Sequence, residues 1–587
     1  MLVFLIYLAL AVVVWWHAWF SGPSVSLAAG SLDPSQEVWF LAWALHVLEH
    51  GGNPFFTRAA YAPEGVNLLA NTSVLGLGAL LAPITALFGP ISSFNVAVTL
   101  APAASAFTAF VAIRRYATWQ PAAFVGALCY GFGPFLAVDL RYGHLNLTFL
   151  AIPPLILLVL DDLLVRHRHR PVVTGATLGA LVVVQFFIST EMLLLTLIVA
   201  SLGLLVLALG HLHKVPAAAR RAAPGLLTGF LVAGAALAYP AWFALRGPRH
   251  VAGPVFANLN NLSSTVAAIV LPHGERAGVA FVSGGNGAFL GVPLLVLLVV
   301  AAAVWRRDAF VRFAISMTVI TYIVSLGTAL HLTQASTGLP LPGAVLGHLP
   351  VFDSIVASRF GAFVDLFAGL GLALVLDRLH AGDFGVLARY RVPRPFGTKS
   401  RSSQLRRSVG CAVITVVAVF PLVSLPRWPY PVVALEEPPI FHRVPLTVLT
   451  AGSVVRDYPP VLIDDTPLVW QAEGGFSYEL SDGYAIVPGP QGLSTEEPPV
   501  DALAVVFAAG VLGTLKLPAT QSTDLAVRRA VVADKITALV VTLGAKGSGA
   551  IVAVLSSAFG PPTRRVSGAE VWALGKPHRA PSGLPTS

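Results

Sequence analysis

The sequence predicts an α-helical polytopic membrane bundle of about eleven spans, followed by an extracytoplasmic α/β domain. Three observations predict it. Apolar runs of about twenty residues, such as Met1–Phe20, Val172–Thr190, Ala288–Trp305 and Phe360–Leu376, fill residues 1–426. The runs are continuous rather than alternating, which excludes a barrel and leaves helices to satisfy the backbone in hydrocarbon. After Pro426 the apolar runs shorten and turn residues and short β-branched segments take over.

Composition agrees. Of 587 residues, 56% are apolar and 11% charged, whereas a soluble domain carries about 25% charged residues. Mean hydropathy is +0.77. The net charge of +9 is unevenly spread. Residues 427–587 hold 12 Lys and Arg against 14 Asp and Glu, so the excess lies in 1–426, with 25 against 14. It sits in short loops between apolar runs, which is a topology signal and not a nucleic-acid footprint. Cys129 and Cys411 fall in expected spans, with no disulfide framework and no metal-site spacing. Met1–Phe20 lacks a charged leader and is too long for a signal-peptide core, so it reads as the first span.

Basic clusters mark the cytoplasmic side. They are Arg114–Arg115, Arg166–Arg170, Lys214 with Arg220–Arg221, Arg306–Arg307 with Arg312, and Arg378–Arg407. If 72–88 and 94–113 both crossed, these clusters could not share one side. Thr72–Phe88, interrupted by Gly76, Gly78 and Pro83, is therefore expected to lie along the outer face or dip into it. The expected spans are 1–20, 92–113, 121–138, 147–165, 172–189, 191–211, 224–245, 287–305, 310–331, 357–378 and 408–426. The N-terminus is then inside and the C-terminus outside. The bundle is 1–426, with an outer first loop at 20–91, and 427–587 forms the outer α/β domain. The basic segment 379–407 lies inside, facing lipid. Within the domain, Leu446–Leu449 and Val461–Ile463 read as strands, and Ala538–Leu543, Ala550–Phe559 and Val566–Ala573 as strand, helix, strand. No period of 20–50 residues repeats, so the inverted halves of many transporters are not visible.

Candidate chemistry gathers on the outer face. Asp33 follows the first span and precedes Pro34, so its plain role is a helix N-cap. It is equally placed to act as a base on a lipid-linked substrate, with Glu37 a second acid nearby. Trp39, Trp43, His46 and His50 form one stripe, as in a helix lying at a membrane interface. Arg141, His144 and Asn146 join two spans in a compact polar turn, Arg249 sits in the basic run Arg246–His250, and Arg359 enters the tenth span. Each can contact a phosphate or sugar, or can simply snorkel to the interface. Glu191, after Ser189 and Thr190, is either an exposed loop acid or an acid facing the same hollow. Trp470–Tyr478 and Asp482–Tyr484 interleave aromatics with polar groups, which suits sugar stacking or the core of a small fold. Asp161–Asp162 reads as a helix-end pair rather than a metal site. No phosphate-loop, dinucleotide or zinc-protease motif is present.

This layout resembles the GT-C-type polytopic membrane glycosyltransferases, and is closest to their uncharacterised bacterial members. These enzymes use polyprenyl-phosphate sugars, and their first outer loop carries an acidic catalytic residue shortly after the first helix. Asp33 matches that position. The following segment is similar to the protein O-mannosyltransferase and aminoarabinose-transferase branch. There an outer-face helix ends in a Phe-Gly turn and a spanning helix ends in paired arginines; here Leu80–Phe88, Gly89 and Phe94–Arg115 correspond. The resemblance covers about residues 1–190. The branch's paired acid motif is absent, since Pro34 follows Asp33, and Ala62–Asn67 stands where a His-Pro-Pro motif often occurs.

The resemblance implies a glycosyltransferase moving a sugar from a polyprenyl-phosphate donor to a cell-envelope acceptor at the outer face of the cell membrane. Asp33 would be the catalytic base, with Glu37 a second catalytic acid nearby. Arg141, His144, Asn146, Glu191, Arg249 and Arg359 would hold the donor phosphate and substrate. A divalent metal is compatible with this chemistry but has no sequence signal of its own. The partners expected are the lipid-linked sugar, the acceptor and membrane lipids, with no nucleic acid. Two other readings stay open. A transporter or flippase needs charge in the middle of the bundle, where Glu191 and Asp365 are the candidates. A scaffold displaying its outer domain needs none of these groups.

Overall fold

The computed structural model describes residues 1–29, 34–253, 263–271, 288–332, 336–346, 355–386, 401–424, 430–435, 452–496, 500–566 and 568–575. Its helices of eight residues or more, in order, are α1 (Leu2–Val14), α2 (Pro34–His50), α3 (Leu75–Phe88), α4 (Pro90–Ile113), α5 (Gln120–Gly131), α6 (Pro134–Tyr142), α7 (Pro153–Asp161), α8 (Pro171–Ile188), α9 (Thr190–Gly210), α10 (Val215–Arg246), α11 (Gly291–Val304), α12 (Ala309–Ser325), α13 (Gly361–Ala381) and α14 (Arg401–Ser424). Four more, α15 (Thr466–Glu473), α16 (Ala502–Leu512), α17 (Gln521–Ala533) and α18 (Ser548–Phe559), lie in the C-terminal region.

Among the described residues, eight stretches are long and apolar enough to cross a membrane: Pro90–Ile113, Gln120–Tyr142, Leu145–Arg166, Pro171–Ile188, Thr190–Gly210, Leu212–Arg246, Ala357–Ala381 and Gln404–Val423. The remaining expected spans are shorter. α1, α11 and α12 have 13, 14 and 17 residues, against about twenty needed. α12 stops because Gly327 turns into the left-handed region. α3, expected not to cross, has 14 residues between Val74 and Gly89. The expected span 121–138 is two helices, α5 and α6, interrupted at Phe132 and Gly133.

The chain divides into two compact units: Met1–His17 with Ala97–Leu237 and Phe256–Pro431, and Ala18–Val96 with Ala238–Val255 and Val432–Ser587. In the first, α13 is buried along its whole apolar length and packs on α5 and α12. Small residues set the closeness of that crossing. A Cβ on Gly369 would stand 2.2 Å from the Gly126 carbonyl oxygen, and one on Gly126 would stand 2.4 Å from that of Gly369. Without a side chain at either position the two backbones touch directly, the usual means of helix association where no hydrophobic effect operates. Cys129 and Cys411 are buried free thiols in the same apolar cluster, beside Leu298 and Leu372.

In the second unit, β1 (Ser26–Leu27) pairs antiparallel with β2 (Val433–Ala434), joining the first loop to the C-terminal region. The α/β sheet is formed by β3 (Val454–Tyr458), β4 (Glu479–Leu480), β5 (Ala538–Thr542), β6 (Arg564–Val566) and β7 (Ala569–Ala573), in the order β6-β7-β5-β3-β4. β3 runs parallel to β4 and β5, with Val540 opposite Asp457, and β5 runs antiparallel to β7. Tyr458, Phe507, Val527, Ile551, Leu555 and Trp572 fill the core between the sheet and α16, α17 and α18. The strand expected at Val461–Ile463 is a turn. Pro459 and Pro460 lack N–H donors and end the ladder at Tyr458. The strand expected at Leu446–Leu449 lies outside the described residues.

Candidate functional site

In the first unit the polar groups collect at the end of the broken span. α6 starts with Pro134 at its first turn and ends on Gly143 in the left-handed conformation, whose N–H returns to the Asp139 and Leu140 carbonyls. That reversal brings the residue after the glycine back over the last turn. His144 N–H therefore donates to the Asp139 carbonyl, and His144 Nδ1 sits 3.1 Å from Asp139 Oδ1. The imidazole also stacks on Tyr142, with ring centres 5.7 Å apart. A carboxylate held against one ring nitrogen fixes the orientation of the ring. Arg141, on the same turn, lies near Tyr430, whose ring meets Trp15 edge-on at 5.1 Å. Asn146 is half-buried in the short helical turn Leu145–Thr148 that follows.

Two other expected residues meet in this unit. Glu191 opens α9, where Ser189 is the N-cap and accepts the Met192 N–H at 3.2 Å. Its carboxylate pairs with Arg359, in the 3₁₀ turn Ala357–Phe360 before α13, and also accepts the Val356 N–H at 3.4 Å. Glu191 is thus tied to a cation and to a backbone donor rather than being a solvated loop acid. The acid pair Asp161–Asp162 is taken up in ion pairs: Arg115 grips Asp162 through two bonds of 2.9 and 3.0 Å, and Arg166 pairs with Asp161 at 2.8 Å.

In the second unit Pro34 opens α2 and Glu37 lies in its first turn, with the whole residue 6% exposed. Asp33, immediately before that helix, lies outside the described residues. The stripe on α2 is a ladder of rings. Trp39 stacks on Trp43, Trp43 on His46 and His46 on His50, and Phe476 sets its edge against the first three. Burial, then the neighbouring His50, lowers His46 below the ordinary imidazole value, against the pull of Glu49. The Trp stripe, expected at a membrane interface, is therefore buried at Trp39 and Trp43 against protein. Gln471 fixes it in place. Its Oε1 accepts the Trp39 indole N–H at 2.6 Å, and its Nε2 donates to the Ala59 and Tyr478 carbonyls. The aromatic run Trp470–Tyr478 therefore belongs to the core of the domain, as the plainer of its two readings holds. Arg249 follows α10 with φ +54. The turn that carries it is held by Asn67, whose Nδ2 donates to the Phe243 and Pro248 carbonyls.

The sequence did not single out Asp139 or Gln471. Asp139 was findable, because a glycine after Arg141-Tyr142 implies a chain reversal onto the preceding turn. Gln471 stood out only as one polar group of the Trp470–Tyr478 run, with nothing to name Trp39 as its partner.

No protein-family model matches the chain, and no curated protein matches it in sequence. Among solved structures, it is similar to the arabinofuranosyltransferase AftD from Mycobacteria, with a TM-score of 0.54 and 14% identity over 97% of this chain. The fold is of the GT-C type. The chain spans only 40% of the length of AftD. Looser likenesses are to ArnT from Cupriavidus metallidurans bound to undecaprenyl phosphate (TM-score 0.47, 12% identity, 97% of each chain). They extend to the oligosaccharyltransferase AglB from Archaeoglobus fulgidus, in complex with an inhibitory peptide and a dolichol-phosphate (TM-score 0.44, 12% identity, 92% of this chain and 69% of that one). Among the described residues of this GT-C fold, no three His, Cys, Asp or Glu side chains gather as a metal site.

Proposed function

We propose that the chain is a membrane glycosyltransferase that moves a sugar from a polyprenyl-phosphate donor to an acceptor at the extracytoplasmic face of the cell membrane. The observation that carries this reading is the polar end of the broken span: Arg141 beside an imidazole oriented by Asp139, in a GT-C fold. In the reaction the bond between the anomeric carbon and the phosphate oxygen breaks, and a bond from that carbon to the acceptor oxygen forms. The polyprenyl phosphate leaves with its negative charge, so it needs cations more than a proton donor. Arg141 supplies the positive charge and His144 a ring nitrogen for hydrogen bonding, with Asn146, Arg249 and Arg359 as further phosphate or sugar contacts. Arg359 is already balanced by Glu191, so its role includes holding that acid in place. The acceptor hydroxyl loses its proton to a carboxylate, and the reading assigns this to Asp33, with Glu37 as the second acid. Such a direct displacement inverts the anomeric centre. A divalent metal is compatible with these roles.

In this reading the N-terminus is cytoplasmic and residues 427–587 are extracytoplasmic, where they hold the acceptor. The test is sugar transfer from a polyprenyl-phosphate sugar in proteoliposomes. The expected outcome is that Asp33→Asn lowers turnover by about 10²-fold or more while the protein stays folded. Wild-type transfer by that folded variant would reject the assignment.

A further inference from the structure

A carboxylate buried within an apolar helix is costly and needs a reason. Asp365 lies on α13 with 2% exposure, between Val364 and Leu366. Its Oδ2 accepts the Phe135 N–H at 3.2 Å. That N–H belongs to the first turn of α6, where backbone donors have no partner within the helix. The residue preceding α6 is Gly133, which has no side chain to cap it, and Pro134 has no N–H at all. A Cβ on Gly133 would stand 2.6 Å from Asp365 Oδ2 and 1.9 Å from the Cys129 carbonyl oxygen. Glycine therefore admits a carboxylate that reaches across from another helix and does the work an N-cap side chain does elsewhere.

The far end of α6 carries Asp139 and Arg141 and delivers His144 through Gly143. α6 has nine residues and is about 13 Å long. A helix this short moves as one piece, so whatever fixes its start also sets its end. We propose that Asp365 is a positioning residue that anchors the start of α6 so that Arg141 and the His144–Asp139 pair meet a prenyl phosphate at its other end. This rests on the lipid-phosphate reading above.

The test is binding of undecaprenyl phosphate to the detergent-solubilised full chain, with thermal unfolding measured in parallel. Asp365→Ala is expected to weaken binding about tenfold, the scale of a lost cap. Asp365→Asn, which keeps the acceptor oxygen, should stay within about twofold of wild type. If Asp365→Ala does not fold, the near-isosteric Asp365→Leu decides instead, because it removes the acceptor oxygen while filling the same space, and it should weaken binding likewise. Wild-type affinity in a folded Asp365→Ala or Asp365→Leu variant overturns the inference, as does equal loss in Asp365→Asn. Arg141→Ala and His144→Ala separate the two levels. If both bind as wild type, the lipid-phosphate reading itself fails. If they weaken binding while Asp365→Ala does not, only the positioning role falls.

Discussion

Glu191 and Arg359 show what pairing does to charge in a poorly solvated place. Their side chains are 17% and 23% exposed, so neither charge is fully hydrated if the other is removed. Arg359→Ala is expected to destabilise the protein by about 2 kcal/mol, and the double change with Glu191→Ala to recover part of that loss. Thermal unfolding in detergent checks this, and full additivity would count against the pair. A second residue-scale effect lies in the α/β domain. Arg456 on β3 is buried among Asp482, Asp501 and Asp534, at 3.6, 2.8 and 3.2 Å. Burial, then the Asp501 carboxylate, pushes Asp534 up to about 6, with Arg456 pulling the other way. The folded chain thus holds this proton more tightly than the unfolded chain, whose ordinary value is 3.8. Stability from this group is full below about pH 4 and is lost as pH rises to about 6. Asp534→Asn should remove that slope, raising Tm at pH 7.5 relative to wild type and leaving it unchanged at pH 4. A difference between the two proteins that does not vary with pH would show that the charge is not at issue.

At the scale of the element, the α5–α13 crossing depends on two missing side chains. Gly369→Ala places a methyl 2.2 Å from the Gly126 carbonyl oxygen, and backbone rather than a pliable side chain must give way. A loss of about 1–3 kcal/mol is expected, read as a fall in unfolding temperature. Unchanged stability would mean that the crossing is loose. The apolar runs made most of these helices legible, because the need to bury about twenty residues in hydrocarbon is written into each run separately. Their breaks were less legible. Hydropathy counts apolar side chains and not backbone hydrogen bonds, so 121–138 reads as one helix although Gly133–Pro134 divides it. The division persists because Asp365, 230 positions away, satisfies the donor that the break exposes. The turn at Gly143 was visible as polar, but the Asp139–His144 contact within it follows from the left-handed glycine and not from residue type.

For the whole molecule, the second unit is assembled from three separated stretches of chain. Its first loop depends on the C-terminal region. β1 pairs with β2, Tyr61 donates to the Gly483 carbonyl at 2.8 Å, and Asn71 donates to the Ile486 carbonyl at 3.0 Å. A chain ending at Pro431 is therefore expected to leave residues 18–96 exposed, with cleavage there at least about tenfold faster in limited proteolysis than in the full protein. Equal protection would show that the loop holds its shape alone. The buried Asp365 and the half-buried Glu191, which a transport function would have claimed, are both engaged in holding backbone or a cation in place.

By itself the sequence determined the apolar spans, the uneven charge, the short α/β region and the polar turns, because partition between lipid and water and local backbone preference act within a few turns of chain. Only the tertiary structure decided which groups meet. Glu191 finds Arg359 across 168 positions and Trp39 finds Gln471 across 432. Such pairs are chosen by packing and by the need to satisfy buried polar atoms, and no single stretch of chain carries a record of its distant partner.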